Sequence, residues 1–257
     1  MITDVNVWLS RWPTRRLPLD ETAALVSTLS SLQITEAWCA SLDGLLHRDL
    51  RDVNRRTAAE CRLQRAGIQL LPAAIINPAL PGWQADLADC RELDIRILRL
   101  TPGWHGYDLA SPVFLQLLQA AAQCRMLVQI CVRLEDPRIQ HTLLQIPDVD
   151  PRPLLAPDIK ATGCSLMLLN ATASTPLELA GQLATAANIG FDTAMLEGLA
   201  GLERLTAALP SDRIHFGSYS PVFVPQAATL KLQESELPLP LRSAILQDNS
   251  AAILPRL

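Results

Sequence analysis

Short runs of β-branched and apolar residues alternate along the chain with longer segments that carry apolar residues at helical spacing. The short runs predict strands and the longer segments predict amphipathic helices. Eight strands are predicted, at 2–8, 34–40, 68–76, 95–101, 126–133, 165–171, 191–196 and 213–218. Six helices are predicted between them, at 20–32, 52–66, 83–93, 112–124, 176–187 and 199–209. A strand-helix unit repeated in this way is typical of a parallel α/β barrel.

The fifth crossover departs from this alternation. Segment 134–163 carries prolines at positions 137, 147, 151, 153 and 157, which exclude a long helix. We expect an extended loop with one or two short turns, and long loops at the catalytic face of a barrel usually contribute to the site. Segment 238–254 predicts a closing helix. The predicted fold is a single (β/α)8 TIM barrel over residues 1–257, with an irregular fifth crossover and a C-terminal closing helix.

Composition narrows the class of protein. The chain has 257 residues, of which 49% are hydrophobic and 19% charged, and a formal net charge of −4. A barrel of this kind runs to about 250 residues as one domain. Scattered arginines and lysines give no electrostatic footprint for nucleic acid. No run of about 18 apolar residues predicts a membrane span, and no basic stretch precedes an apolar one at the N-terminus as in a signal peptide.

The cysteines favour a reducing compartment. Six cysteines are widely spaced along the chain and none forms a Cys-x-x-Cys pair, which is typical of free thiols. We therefore expect a soluble, cytoplasmic protein that binds a small-molecule ligand and neither nucleic acid nor a membrane. The sequence leaves open its assembly into a homo-oligomer.

Four short strings, read in order, carry a resemblance to a known family. They are ITDVNVW at 2–8, LRLTP at 98–102, DRIHFGSYSP at 212–221 and ILQDNSAAIL at 245–254. In this order they resemble the amidohydrolase-related family of TIM-barrel hydrolases and decarboxylases. The resemblance implies a metal-dependent site at the C-terminal ends of the strands. It also implies hydrolysis of an amide, ester or lactone, or a decarboxylation.

The metal-associated positions of that family are changed in this chain. The resemblance places them on Asn6, Trp8, Cys131, Asn170 and Tyr219. A zinc-type site needs imidazole, thiolate or carboxylate donors, and among these five residues only Cys131 offers one. The four histidines, His47, His105, His141 and His215, lie at none of these positions and lack His-x-His or His-x-x-x-His spacing. We expect no metal and no other cofactor, although a residual site of Cys131, His141 and Glu197 stays open.

Two arginines are candidates for binding an anionic substrate. If alternate residues of each strand point inward, Arg99 and Arg133 lie at the strand tips. A guanidinium group matches a carboxylate or phosphate in bidentate geometry. The alternative for Arg99 is an ion pair with Asp4, and the alternative for Arg133 is a salt-bridge network within the following loop.

Two residues are candidates for catalysis. Glu197 follows an apolar strand, so a partly desolvated carboxylate there could act as a general base or acid. Its alternative is an interaction with the dipole of the next helix. Tyr219 could donate a hydrogen bond to a substrate oxygen, or could satisfy a buried partner within the protein.

The remaining candidates are assigned to substrate binding. Trp8 could stack on a flat substrate or simply pack, and Cys131 could be a nucleophile or a core filler. His141 could cover the mouth of the barrel or be solvated in its loop. Amide side chains at the strand tips could bind substrate, and those of Asn6 and Asn170 could stabilise an oxyanion. They are Asn6, Asn77 and Asn170.

Two functions are compatible with these residues. The first is a metal-independent hydrolase or lyase that acts on a small anionic substrate at the strand tips. The second is a non-catalytic member of the same family, either a ligand-binding protein or a structural pseudoenzyme. An open pocket facing Arg99 and Glu197 would favour the enzyme, and a mouth plugged by Trp8 and an Asp4–Arg99 pair, with no cavity, would favour the non-catalytic protein.

Overall fold

A single parallel sheet organises the molecule. The structure is a computed structural model that describes residues 1–63, 65 and 67–254. Within them, eight strands pair in the order of the sequence. They are β1 (Ile2–Leu9), β2 (Ile34–Ser41), β3 (Gln69–Ile75), β4 (Ile97–Leu100), β5 (Leu127–Cys131), β6 (Ser165–Leu169), β7 (Gly190–Asp192) and β8 (Ile214–His215). All eight predicted strands are confirmed, although β7 and β8 are shorter than predicted.

Helices connect the strands. They are α1 (Thr22–Ser31), α2 (Leu50–Arg62), α3 (Trp83–Glu92), α4 (Pro102–His105), α5 (Pro112–Gln123), α6 (Pro157–Ala161), α7 (Leu177–Ala186), α8 (Gly201–Ala208), α9 (Pro225–Gln233), α10 (Leu239–Ser243) and α11 (Asn249–Ile253). The six predicted helices are confirmed as α1, α2, α3, α5, α7 and α8, and the predicted end of the second, at Ala66, lies outside the described residues. Helices α4 and α9 were not predicted. The buried face of α9 consists largely of small or polar residues, so its apolar periodicity is weak.

The barrel closes between its first and last strands. The backbone NH of Val5 donates to the carbonyl of Phe216 at 3.0 Å, and that of Trp8 donates to Ser220 at 2.8 Å. These bonds join β1 to the segment that follows β8, which confirms the (β/α)8 architecture predicted from the sequence. Among the described helices, none combines the length and apolar character that crossing a membrane would require.

Side chains divide between two layers. The outer layer packs the sheet against the helices, and residues such as Leu98 and Leu168 belong to it. The inner layer fills the barrel and includes Ile97, Met167 and Leu169. Counting alternate residues back along β6 from Asn170, which the sequence places at a strand tip, predicts that Leu168 points inward, and this prediction was wrong. The β6 register is offset by one residue from that prediction, and a one-residue offset moves a side chain to the opposite face.

The fifth crossover and the C-terminal segment follow their predictions. The crossover contains 3₁₀ turns at Pro137–Ile139 and Arg152–Leu155, followed by the short helix α6. At the C-terminus, a π-helical turn at Ala244–Asp248 joins α10 to α11. Asn249 donates to the carbonyl of Ile214 at 2.8 Å, so this closing segment is attached directly to β8.

One buried asparagine fixes α2 to the sheet. Asn54, on α2, is 1% exposed. Its side-chain amide donates to the carbonyl of Ile75 at 2.8 Å, and its side-chain oxygen accepts from the backbone NH of the same residue at 2.8 Å. The side chain thus pairs with both backbone groups of Ile75 at the tip of β3. A buried backbone group without a partner costs about 1–3 kcal/mol.

Replacing this side chain should destabilise the fold. Asn54→Ala leaves both backbone groups of Ile75 without their partner, so we expect the free energy of unfolding to fall by about 2–4 kcal/mol. Gln119→Ala, on the exposed face of α5, is the matched control and should change it by less than about 0.5 kcal/mol. Urea denaturation of both variants checks this, and equal midpoints would contradict the role given to Asn54.

Candidate functional site

Strand β1 places three polar side chains inside the barrel. Asp4, Asn6 and Trp8 alternate along it and are each 0% exposed. Side chains two residues apart lie on the same face of a strand, which is why all three reach the interior. The indole NH of Trp8 donates to the side-chain oxygen of Asn6 at 3.1 Å. The prediction that Asn6 and Trp8 face inward at the strand tips is correct.

A network of two amides and a carboxylate joins β1 to β6 and β7. The Asn6 side-chain NH₂ donates to Asn170 Oδ1 at 2.8 Å and to Asp192 Oδ2 at 2.6 Å. The backbone NH of Asn170 donates to Asp192 Oδ1 at 2.8 Å. Asn170 has a φ of 57°, a left-handed conformation that asparagine tolerates better than most residues. Both carboxylate oxygens of Asp192 are therefore held by donors from the chain itself.

Gly217 leaves room for this network. A Cβ atom at position 217 would lie 2.8 Å from Asp192 Oδ2 and 3.2 Å from Asn6 Cβ. The segment after β8 can pass this close to the carboxylate only because residue 217 has no side chain. The glycine of the eighth-strand string therefore has a packing role at the centre of the barrel.

Arg99 is the largest charged group in the interior, and it is 0% exposed. Its Nε donates to Gln129 Oε1 at 2.8 Å. Its two terminal nitrogens donate to three backbone carbonyls, those of Val7 at 2.7 Å, Val5 at 2.8 Å and Trp38 at 3.0 Å. Burial lowers the pKa of Arg99. These bonds fix the guanidinium group between β1, β2, β4 and β5.

The ion pair between Arg99 and Asp4 is not formed, and that alternative for Arg99 was wrong. The guanidinium bonds carbonyl and amide oxygens, and its carbon lies 5.0 Å from the ring centroid of Trp8. Asp4 Oδ1 instead accepts from the backbone NH groups of Asn6 and Ser218, at 3.1 and 3.0 Å. The two groups still interact electrostatically without a hydrogen bond, since the negative charge of Asp4 favours the charged form of Arg99.

Two buried carboxyl groups have raised pKa values. Burial raises the pKa of Asp4 to about 6, and its Oδ2 has no hydrogen-bond partner. Burial also raises the pKa of Asp192 to about 6, against the opposing effect of its bonds to Asn6 and Asn170. The charged form is disfavoured in both cases because it is removed from water.

Cys131 and Tyr219 are fully packed. Burial raises the pKa of the Cys131 thiol to about 12. Only a thiolate is an effective nucleophile, so this cysteine lacks the chemistry of a reactive one. The Tyr219 hydroxyl is 0% exposed and donates to the carbonyl of Leu134. The hydroxyl hydrogen of Tyr219 is thus bonded at the start of the fifth crossover and does not point to a substrate position.

Four other candidates lie away from the axial network. Arg133 forms a bidentate ion pair with Asp148, within the crossover. Asn77 is 8% exposed and its side-chain oxygen accepts from the backbone of Ala79, in a turn after β3. The other two, Glu197 and His141, are exposed in separate loops.

Two functional-site residues were missed by the sequence reasoning. Asp192 is the only charged residue in the apolar segment 190–196, and a charge in such a run is a signal for a buried polar contact. Counting alternate residues along the fifth predicted strand places Gln129 inward with Cys131, but no role was assigned to it. Its side chain accepts from Arg99 and donates to the carbonyl of Val5 at 2.9 Å.

The mouth of the barrel holds little free volume where the fifth crossover covers it. The cavity between the tips of β4 and β5 and this crossover measures about 10 Å³ and is lined by Trp104, Cys131, Arg133 and Asp148, among others. One water molecule needs at least that much, whereas small-molecule sites occupy about 300–1,000 Å³.

The residues present do not fit the metal site that the family resemblance implies. Across residues 1–63, 65 and 67–254, no three His, Cys, Asp or Glu side chains are grouped so that they could hold a metal ion. The alternative site of Cys131, His141 and Glu197 is not assembled. The five positions that the resemblance associates with a metal carry two amides, an indole, a protonated thiol and a phenol, which are poor ligands for a divalent transition metal.

Solved structures share this barrel. A 2,6-dihydroxybenzoate decarboxylase from Rhizobium superposes with a TM-score of 0.73 at 13% identity, covering 98% of both chains. A 5-carboxyvanillate decarboxylase from Sphingomonas paucimobilis gives 0.73 at 12% identity, again over 98% of both. A candidate 2-pyrone-4,6-dicarboxylic acid hydrolase from Pseudomonas putida gives 0.68 at 16% identity, covering 98% of this chain and 97% of that one.

The chain has the fold of amidohydrolase-type decarboxylases and hydrolases. The family resemblance expected from the four strings is therefore confirmed at the level of the fold. No family model matches the sequence, and no curated protein matches it. At 12–16% identity, these similarities show a common barrel fold and strand order. The chemistry of the site depends on the residues of this chain.

The stability lost when the buried guanidinium is removed should be restored by a small cation of the same shape. Arg99→Ala leaves three carbonyls and Gln129 without their donor, and we expect unfolding to become easier by more than about 3 kcal/mol. Methylguanidinium at about 10 mM should then raise the melting temperature of the variant, because it binds only the folded state. Wild type and exposed-site Arg138→Ala should not respond. Equal responses in all three proteins would refute a specific site for the cation.

Asp4 should make stability depend on pH. Its pKa is raised in the folded state, so the folded protein binds the proton more tightly than the unfolded chain, and stability falls as the pH rises from about 4 through about 6. Asp4→Asn keeps the oxygen that accepts two bonds and removes the ionisation. Relative to wild type, this variant should therefore gain stability with rising pH over that window, on the order of 1–3 kcal/mol.

The measurement is urea denaturation of both proteins from pH 4 to 8. Glu234→Gln, on the exposed end of α9, serves as the control and should follow the wild-type curve. A constant difference between Asp4→Asn and wild type at every pH would show that Asp4 does not titrate in this window.

Proposed function

We propose that this protein is a non-catalytic member of the amidohydrolase-like barrels, in which the former site has become part of the structural core. One observation carries the proposal. Five polar side chains at the axis, Asn6, Arg99, Asn170, Asp192 and Tyr219, are bonded to other parts of the chain. Groups already engaged in this way have no donors directed at a substrate. A further one, Asp4, has one oxygen without a partner among the described residues but is 0% exposed, so no substrate reaches it in this arrangement.

The residues that a metal-independent reaction would need also support this proposal. A general base with a raised pKa requires partial burial, whereas Glu197 is exposed. A cysteine nucleophile requires a thiolate, whereas burial raises the pKa of Cys131 to about 12. An oxyanion site requires donors aimed at an open position, and the donors of Arg99 are bonded to the backbone.

The network has a structural role of its own. It ties β1 to β6 and β7 through Asn6 and Asp192, while Arg99 ties β4 to β1, β2 and β5. A buried polar network whose members are satisfied rigidifies a core and favours one arrangement of it. We infer that these residues were retained, or replaced the metal ligands, because they hold the strands together at the open end of the barrel.

The proposal is tested first by chemistry. We expect no turnover above the uncatalysed rate with a panel of esters, amides, lactones and aromatic carboxylic acids. The panel is run on protein purified without chelator and supplemented in turn with zinc, manganese and magnesium. Turnover of any panel member that is abolished by Arg99→Lys would overturn the proposal.

The rate at which Cys131 reacts with a thiol reagent measures how accessible the strand tips are, and this test needs no substrate. Native protein is treated with iodoacetamide and the labelled cysteines are located by mass spectrometry. We expect Cys124, which is partly exposed, to be labelled first, and Cys131 to react only when the protein unfolds. Labelling of Cys131 in native protein at the rate of Cys124 would contradict a sealed mouth.

A second candidate is a hydrolase or lyase acting on a small anionic substrate. The observation in its favour is the likeness of the whole barrel to decarboxylases and to a candidate hydrolase. In that case the fifth crossover must move, which would break the ion pair of Arg133 with Asp148 and free that guanidinium for a carboxylate. Asp148→Asn would then increase both turnover and Cys131 labelling, whereas a non-catalytic barrel would show increased labelling alone.

A further inference from the structure

Large apolar side chains are exposed on the loops that follow three strands of the barrel. They are Ile139 and Leu143 in the fifth crossover, Leu199 after β7, and Phe223 and Val224 after β8. Leu143 is 89% exposed and Leu199 is 94% exposed. The loops that follow the strands of a parallel barrel all lie at the strand-tip end. We call these five residues the rim patch.

The loop after β8 is attached to the other two. The Tyr219 hydroxyl donates to the carbonyl of Leu134 at the start of the crossover. The Tyr219 ring lies edge-on to that of Phe223, with the ring centroids 5.4 Å apart. On the other side, Lys231 of α9 donates to the carbonyl of Thr193 at 3.0 Å, in the segment that follows β7.

The crossover also approaches the loop after β7. Glu197, in that loop, lies within electrostatic range of Arg138 in the crossover. The side-chain oxygen of Gln140 accepts from the backbone NH of Ile146 at 2.8 Å, and its NH₂ donates to the carbonyl of the same residue at 2.9 Å. These bonds fold the chain between them into a compact loop that contains Leu143. The rim patch therefore occupies one side of the mouth.

The charges around the rim patch are balanced. Three ion pairs lie within or beside the crossover: Arg133–Asp148, Arg138–Asp136 and Arg15–Glu135. A lipid or nucleic-acid surface is bound through an excess of arginine and lysine, which the described residues of this face lack. Two copies of one surface repel each other unless its charges are balanced, so this face suits a second copy of the chain.

Two residues of opposite charge make the patch self-complementary. The carboxylate of Glu197 forms no ion pair with any residue that the structure describes, and the Arg138 side chain is 87% exposed. An isologous contact brings residue i of one copy against residue j of the other, and j against i. Glu197 of each copy can therefore meet Arg138 of the other, which gives two equivalent ion pairs beside the apolar side chains.

The surface is also large enough for a stable contact. A standard interface buries about 800 Å² per partner and takes about 20–30 residues a side. Segments 135–147, 197–200 and 222–226 together hold about twenty residues, at the lower end of that range. Apolar residues at the centre and charged residues at the edge are the usual composition of such interfaces.

We propose that the rim patch is the interface of a two-fold symmetric dimer of this chain. The apolar side chains of each copy lie on those of the other, and each crossover is held against its own barrel. This inference does not rest on the proposed function, because the dimer is compatible with a catalytic or a non-catalytic barrel. It is measured by molecular mass, whereas the proposed function is measured by turnover.

Sedimentation velocity on the full chain measures the assembly. A species of twice the monomer mass should predominate above about 10 µM. Leu143→Asp and Leu199→Asp should each weaken association at least about tenfold, because each places a charge in an apolar contact. Leu63→Asp is the matched control, since Leu63 is 58% exposed at the opposite end of the barrel, and it should associate as wild type does. Melting temperatures establish that all three variants fold.

Charge reversal tests the two-fold arrangement. Glu197→Arg alone and Arg138→Glu alone each place like charges opposite one another, so each should weaken association by about tenfold. The two substitutions combined restore opposite charges and should return the dissociation constant to within about threefold of wild type.

Hydrogen exchange locates the interface. Amides in 138–144 and 197–200 should exchange more slowly at about 100 µM than at about 1 µM protein, and those of α2 should not change. A monomer at about 200 µM overturns the proposal. A dimer left intact by Leu143→Asp and Leu199→Asp, or a charge-reversed pair without recovery, overturns it equally. A monomer that sediments with phosphatidylglycerol vesicles would instead assign the patch to a membrane.

Discussion

A single buried cation sets the arrangement of the barrel interior. Arg99 has no exposure to water, and its charge must be compensated within the chain. Removing an ion from water costs several kcal/mol, which only a complete set of acceptors can offset. The acceptors are the amide oxygen of Gln129 and three carbonyls of β1 and β2. Because these belong to different strands, the barrel must close in one register for the guanidinium to be satisfied.

The two interior carboxyl groups complete this electrostatic arrangement. Asp4 and Asp192 both favour the charged form of Arg99, although neither bonds it directly. Asp192 instead is held by Asn6 and Asn170, and it packs where Gly217 leaves space. Polar groups that would face a substrate in an open barrel are here directed at one another. The barrel fold is therefore compatible with an end at which the side chains of the strand tips bond one another.

Much of this arrangement could be predicted from the sequence. The period of two along a strand placed Asn6, Trp8 and Arg99 in the interior, and the structure agrees. The partner of Arg99 could not be predicted, because backbone carbonyls have no sequence signature and lie in whichever strands the fold brings near. Asp192 was missed for a related reason. Its role depends on Asn6, which lies 186 positions away in the chain.

The sequence by itself determined the order of strands and helices and the closure of a barrel. Those properties follow from local periodicity and residue identity, which a chain carries without its fold. Only the tertiary structure decided whether polar strand tips form an open pocket or a bonded core. That outcome depends on hydrogen-bond geometry between distant segments. It rests on the left-handed turn at Asn170 and on the fifth crossover, where Leu134 accepts from Tyr219.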